Sequence, residues 1–144
     1  MYSRDHAILS LLTGLAVVVA TTPPGHPMAV VAVALAVGVG IDFDHFLVAY
    51  LHTGSAKNAR RLLANPRLAV TDQRALFDDA DLSRLQRLLS HALIAGLLVG
   101  GLWVLGATYW AFVVGVSLYV HVVADLYADV RDTAGESGRH AGDA

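Results

Sequence analysis

Cysteine is absent from the 144-residue chain, which excludes disulfides and thiolate metal sites. Charge is scarce: 15% of residues are charged, against about 25% in ordinary soluble proteins. The shortage is uneven. Between Ala92 and Ala124 there is no Asp, Glu, Lys or Arg, and one His. A single helix of that length would rise roughly 50 Å, well beyond the roughly 30 Å of a bilayer core. The stretch therefore reads as most of two spans joined by a turn at "GATYW", Gly106 to Trp110. An ordinary soluble core is excluded, and the chain reads as a membrane protein.

Two further spans precede these. One runs from about His6 to Thr22; its short apolar part raises a cleaved signal peptide, but Arg4 is offset by Asp5 and "VVVATTPP" is a poor cleavage site, so a span is expected. The prolines of "TTPPGHP" then break any helix. The next span extends from about Met28 to His52, the third begins near Leu88, and the fourth ends near Tyr127. Trp103, Tyr109 and Trp110 fit an aromatic belt at the outer interface. Gly38 and Gly40 read as packing positions where helices approach closely.

Basic residues set the orientation. Lys57, Arg60, Arg61, Arg67, Arg74, Arg84 and Arg87 lie between spans two and three. Arg4 precedes the first span, and Arg131 and Arg139 follow the last. The Pro-rich turn and "GATYW" have none. Four spans with both termini and the middle segment in the cytoplasm satisfy the positive-inside rule. The expected fold is thus all-α: a single membrane domain over residues 1–130, with an amphipathic helical segment over 55–87 and a disordered tail over 131–144. "NARRLLA" and "LSRLQRLLSHAL" carry leucines at helical spacing with arginines between them, and Ser83 with Gln86 fits a capping box. This segment reads as an interfacial helix on lipid head groups rather than a nucleic-acid surface. Membrane lipids are the expected partners, and no nucleic acid is.

The topology brings seven ionisable side chains to one depth near the inner face. They are His6 on span one, Asp42, Asp44 and His45 on span two, His91 on span three, and His121 and Asp125 on span four. His121 and Asp125 are four apart and Asp42 and His45 three apart, so each pair shares a helical face. Asp44 points roughly 200° from Asp42 on a regular helix. It joins the others only if the helix unwinds there, or it serves as a partner that orients an imidazole. Carboxylates and imidazoles from separate helices suit a divalent cation. Without one, neighbouring carboxylates in low dielectric take up protons. The alternative is an interhelical network in which His and Asp satisfy each other; intramembrane ionisable groups favour the functional reading. His6 is alternatively an ordinary interfacial residue. His26, His52 and His140 read as solvated, and Arg87 either snorkels to head groups or aims at an anionic substrate.

At these residues the chain resembles the membrane-bound, metal-dependent hydrolase family, also described as LexA-binding, inner-membrane-associated hydrolases. Its pattern is an early His, then Pro-Asp-x-Asp-His, His-Arg-x-x-Thr-His-Ser and a late His-x-x-x-Asp. Here His6, "IDFDH" (Ile41 to His45), "QRLLSHA" (Gln86 to Ala92) and "HVVAD" (His121 to Asp125) stand in that order. Ile41 replaces the Pro, Gln86 the first His of the third motif and Ala92 its final Ser. The resemblance implies metal-assisted hydrolysis, with zinc first and manganese or magnesium as alternatives. Asp42, Asp44, His45, His121 and Asp125 are expected at the metal. His91 and His6 are expected to complete the shell or move protons, and Arg87 to meet a phosphoester or lipid-like substrate. The competing expectation is a non-enzymatic membrane protein with a structural or metal-stabilised cluster. A cation pathway ranks last, because no polar residues continue to the outer face.

Overall fold

The computed structural model describes residues 3–65, 67 and 84–142. Among these residues every regular element is helical. Helix α1 spans Ser3–Ala20 and α2 spans Pro27–Gly40. Between them the prolines of "TTPPGH" end one helix, and the next starts with Pro27 in its first turn, where no backbone N–H is needed. His26, expected to be solvated, caps α2: its Nδ1 accepts from the Met28 amide at 3.2 Å.

A 3-10 turn, Ile41–Phe43, continues α2 directly into α3, Asp44–Thr53. Gly54 then closes α3 in the left-handed conformation, with φ of 67°, where a Cβ would be strained. Helix α4 covers Lys57–Ala64 and is amphipathic as the leucine spacing requires. The proposed cap at Ser83 and the rest of that segment, 68–83, lie outside the described residues. Helix α5 is Arg84–Val104 and α6 is Thr108–Gly142. They are joined at Gly106, whose φ of 76° again suits glycine. The turn thus occupies the first part of "GATYW", and Tyr109 and Trp110 already belong to α6. The backbone of α6 continues to Gly142, through the stretch for which the sequence suggested disorder. No proline follows Pro66 to stop it. The His140 side chain lies outside those described.

Among the described residues three helical stretches are long and apolar enough to cross a membrane: Pro27–Thr53, Leu85–Val104 and Thr108–Arg131. Helix α1 is not among them.

Helices α1, α2 and α6 pack against one another, while α5 lies against α6 and, near its start, against α3. Two apolar cores hold them. Val17, Val30 and Val113 form one, next to Tyr109 and Trp110. Ile41, Val114 and Leu118 form the other, covered by Ile94, Val99 and Leu102 of α5. Close approach of α1 and α2 depends on small residues. A Cβ on Gly14 would come within 2.9 Å of the Val31 backbone, and one on Gly38 would run into Ser10 Oγ. Gly38 is therefore a packing glycine, as its place in the sequence suggested. A Cβ on Gly40 would meet nothing. The outer surface carries Leu12, Leu51, Leu93, Leu97, Phe112 and Tyr119 exposed, while the interior holds His and Asp. Such an apolar exterior around a polar interior suits lipid as the surrounding solvent.

Candidate metal centre

The continuous rod Pro27–Thr53 tightens just where its charges begin. Asp42 sits inside the 3-10 turn and Asp44 opens the helix that follows. At about 120° per residue rather than about 100°, Asp42 and Asp44 stand roughly 120° apart around the axis rather than roughly 160°. Both carboxylates can then be buried against neighbouring helices, and both are, at 3% and 8% exposure. His45 follows one residue later and is also buried. The departure from a regular helix that Asp44 required is present, as a tightening of the turn rather than an unwinding.

Every ionisable side chain that the sequence placed at this depth is buried in one cluster: His6, Asp42, Asp44, His45, His91, His121 and Asp125. Their hydrogen bonds fix which ring nitrogens carry protons. His121 Nδ1 lies 2.7 Å from the carbonyl oxygen of Gly38. A carbonyl only accepts, so Nδ1 donates, and in the neutral ring Nε2 keeps its lone pair. His91 Nδ1 lies 3.0 Å from Asp44 Oδ2 and donates to it, which in the neutral ring leaves a lone pair on His91 Nε2 as well. These two Nε2 atoms face each other at 3.3 Å. His121 Nε2 is also 3.3 Å from Asp42 Oδ1 and 3.7 Å from Asp125 Oδ2. His91 Nε2 is 3.6 Å from the same Asp42 oxygen.

With both rings neutral, lone pairs and carboxylate oxygens converge at one point, with the protons turned outward. A cation among them removes the repulsion. An extra proton on one ring would do so with a single charge, which is the hydrogen-bonded alternative. Two donors bound about 2.1 Å from one tetrahedral ion stand roughly 3.4 Å apart. The separations just given bracket that value. His6, Asp42, His121 and Asp125 offer ligand atoms all within 4.8 Å of one another, and so do Asp42, His45 and His91. Both sets have the composition and spacing to hold a metal ion.

The remaining side chains frame this centre. His6 Nε2 lies 3.1 Å from Asp125 Oδ1, and its ring stacks on His121 with centroids 4.0 Å apart. His6 Nδ1 is buried with no hydrogen-bond partner. His45 stacks on His91 at 5.1 Å. Asp44 belongs to neither ligand set and is placed to orient His91. Arg87 Nη2 donates to both carboxylate oxygens of Asp129, at 3.1 and 3.3 Å, while its Nε is buried with no hydrogen-bond partner. Gln86 stands outside the cluster, its Nε2 donating to the exposed His52 Nδ1 at 3.3 Å.

A narrow cleft opens between α5 and α6, lined by Arg87, Leu88, His91, Val122 and Asp125. It joins a cationic group and two apolar side chains to two members of the cluster.

Sequence reasoning passed over two participants. Asp129, one helical turn beyond Asp125, was detectable by continuing the four-residue spacing. The Gly38 carbonyl was not, because a backbone acceptor leaves no side-chain signal.

Comparison of the chain with protein-family models, with curated proteins and with solved structures gives no match. The functional reading therefore rests on the geometry of the cluster and on the motifs that supply it.

Proposed function

We propose that the chain is a four-span, membrane-bound, metal-dependent hydrolase acting on a phosphoester or lipid-like substrate from the cytoplasmic leaflet. One observation carries this reading: imidazole lone pairs and buried carboxylates converge beside a cleft whose mouth holds an arginine and apolar side chains. The motif order that resembles the membrane-bound metal-dependent hydrolases points the same way.

In this reading α1 is the fourth span, and the basic middle segment and both termini face the cytoplasm, as the distribution of Lys and Arg favours. Asp42, His121 and Asp125, with His6, would hold the ion, and His45 and His91 meet Asp42 from its other side. Nitrogen and oxygen donors without thiolates suit zinc, with manganese or magnesium next. A divalent metal held there would supply Lewis-acid polarisation and an activated water.

The chain's own residues do the rest. Gly38 and Asp44 hold the two imidazoles in the tautomer that turns Nε2 inward. Arg87, aimed by Asp129, offers its Nε to an anionic group at the mouth of the cleft. Leu88 and Val122 accept the apolar part of a lipid-like molecule.

The test is hydrolysis by detergent-purified, metal-loaded protein across phosphoester, lipid and peptide panels, with Asp125→Ala alongside. Turnover of a phosphoester that is lost with Asp125 supports the proposal. Folded, metal-loaded protein that is inert on every panel would replace it with a metal-stabilised structural cluster. Reporter fusions that put Gly25 inside, or either terminus outside, would overturn the topology.

A further inference from the structure

The donors do not gather into one set. They separate into two, His6, Asp42, His121 and Asp125 on one side and Asp42, His45 and His91 on the other, and Asp42 alone belongs to both. One octahedral ion would draw all its ligands within about 4.4 Å of each other, twice a typical bond to oxygen or nitrogen. Ligand atoms lie within 4.8 Å of one another inside each set, and the two sets meet at His91 and His121, whose Nε2 atoms are 3.3 Å apart. Asp42 Oδ1 has three imidazole Nε2 atoms around it, from His121 at 3.3 Å, His91 at 3.6 Å and His45 at 4.0 Å. These rings come from α6, α5 and α3, so the oxygen stands where three helices meet.

Resting on the metal-dependent reading above, we infer that the cluster is a two-ion centre in which the Asp42 carboxylate bridges the ions. His6, His121 and Asp125 complete one site, and His45 and His91 complete the other.

Charge favours two ions over one. Asp42, Asp44 and Asp125 are three buried carboxylates, and no Lys or Arg is buried among the described residues. The nearby Arg87 is committed to Asp129. One divalent cation leaves the cluster with a net charge of −1, which would repel an anionic substrate. Two leave it at +1, which attracts one. Paired ions also suit in-line displacement at phosphorus, where one oxygen arrives as another departs. The outward partners fit this arrangement, because Gly38 and Asp44 hold one imidazole of each set with its inward nitrogen unprotonated. The second site is the more open, offering two imidazoles and a shared carboxylate.

The experiment is metal stoichiometry on the full chain in detergent, stripped with chelator and reloaded with Zn(II) or Mn(II), then measured by plasma mass spectrometry. About two ions per chain are expected, as in other two-metal sites. His45→Ala and Asp125→Ala should each lower this to about one, and Asp42→Ala should weaken both. Mn(II)-loaded wild type should give the spin-coupled electron paramagnetic resonance signal of a bridged pair. His45→Ala should give the six-line signal of an isolated ion. Saturation at about one ion per wild-type chain overturns the two-ion centre and leaves the metal-dependent reading standing. Binding of no ion overturns both. Two ions with isolated signals overturn the bridge. Size-exclusion profiles matching wild type identify the variants that count, and His45→Gln replaces the alanine variant should that one aggregate.

Discussion

Helices α5 and α6 are alike in sequence and opposite in placement. Each has a stretch apolar enough to cross a membrane, yet 39% of that stretch in α6 is buried within the protein against 6% in α5. Apolarity therefore does not tell which helix forms the core. In water, α5 would need a partner for Leu89, Leu93, Leu97 and Leu98, all of them exposed. In a bilayer, lipid chains cover them without penalty. Helix α5 is fixed near its base by polar contacts, where His91 is 2% exposed and bonded to Asp44, and above it by Ile94, Val99 and Leu102 on one face. Arg87 adds its pair with Asp129. Helix α6 is fixed along its length by Val113, Val114 and Leu118.

The largest expected effect attacks the base of α5. Asp42→Ala should abolish metal retention and reduce hydrolysis more than about a hundredfold, beyond the tenfold to hundredfold typical of an outer partner. Asp44→Ala should fall within that outer-partner range. Equal losses from the two variants, measured as metal affinity, would make Asp44 a ligand. Because the chain has no cysteine, a single introduced one is a clean probe. A spin label at Leu93→Cys should gain mobility when metal is removed, whereas one at Phe112→Cys on α6 should not. Similar gains at both positions would dissolve the contrast between the helices.

Next comes packing. Leu118→Ala should destabilise the protein by about 2–5 kcal/mol, as for other buried leucines. Leu97→Ala, at 76% exposure, should stay within about 0.5 kcal/mol. Thermal melting in detergent separates the two, and a large Leu97 effect would reveal a neighbour on α5. Gly38→Ala should follow at about 1–3 kcal/mol, the usual range for overpacking. A Ser10→Gly change in the same chain should restore part of that loss, since Ser10 is what the new Cβ would meet. The smallest effect is at the cleft. Arg87→Ala should raise KM roughly tenfold with kcat little changed, the pattern of lost ground-state binding. A fall in kcat of the same size would place Arg87 at the reacting atoms.

Much of this was legible from residue types and spacing. Asp42, His45, His91, His121 and Asp125 could be found because charge is so scarce that each ionisable group in an apolar run stands out. The turn at Gly106 followed from length alone. Asp44 was legible as a conditional: its phase was wrong for a regular helix, and the 3-10 turn supplies the correction. The division of the donors into two sets could not be read, because spacing along a helix gives direction and says nothing of distance between helices. The Arg87–Asp129 pair joins residues 42 positions apart on different helices and was hidden for the same reason.

Helix α1 is tied to α6 at two points. His6 meets Asp125 at 3.1 Å, and Thr21, just past the other end of α1, meets the Tyr109 hydroxyl at 2.9 Å. The helical rise between those ties is about 22 Å. A rod pinned to its neighbour at two such distant points can neither roll nor slide past it without breaking one of them. Gly14 and Gly38 seat the same rod against α2, so α1, α2 and α6 act mechanically as one frame. Helix α5 stands outside that frame, against α6 and α3, so in the proposed membrane setting bilayer thickness and lateral pressure would act first on α5.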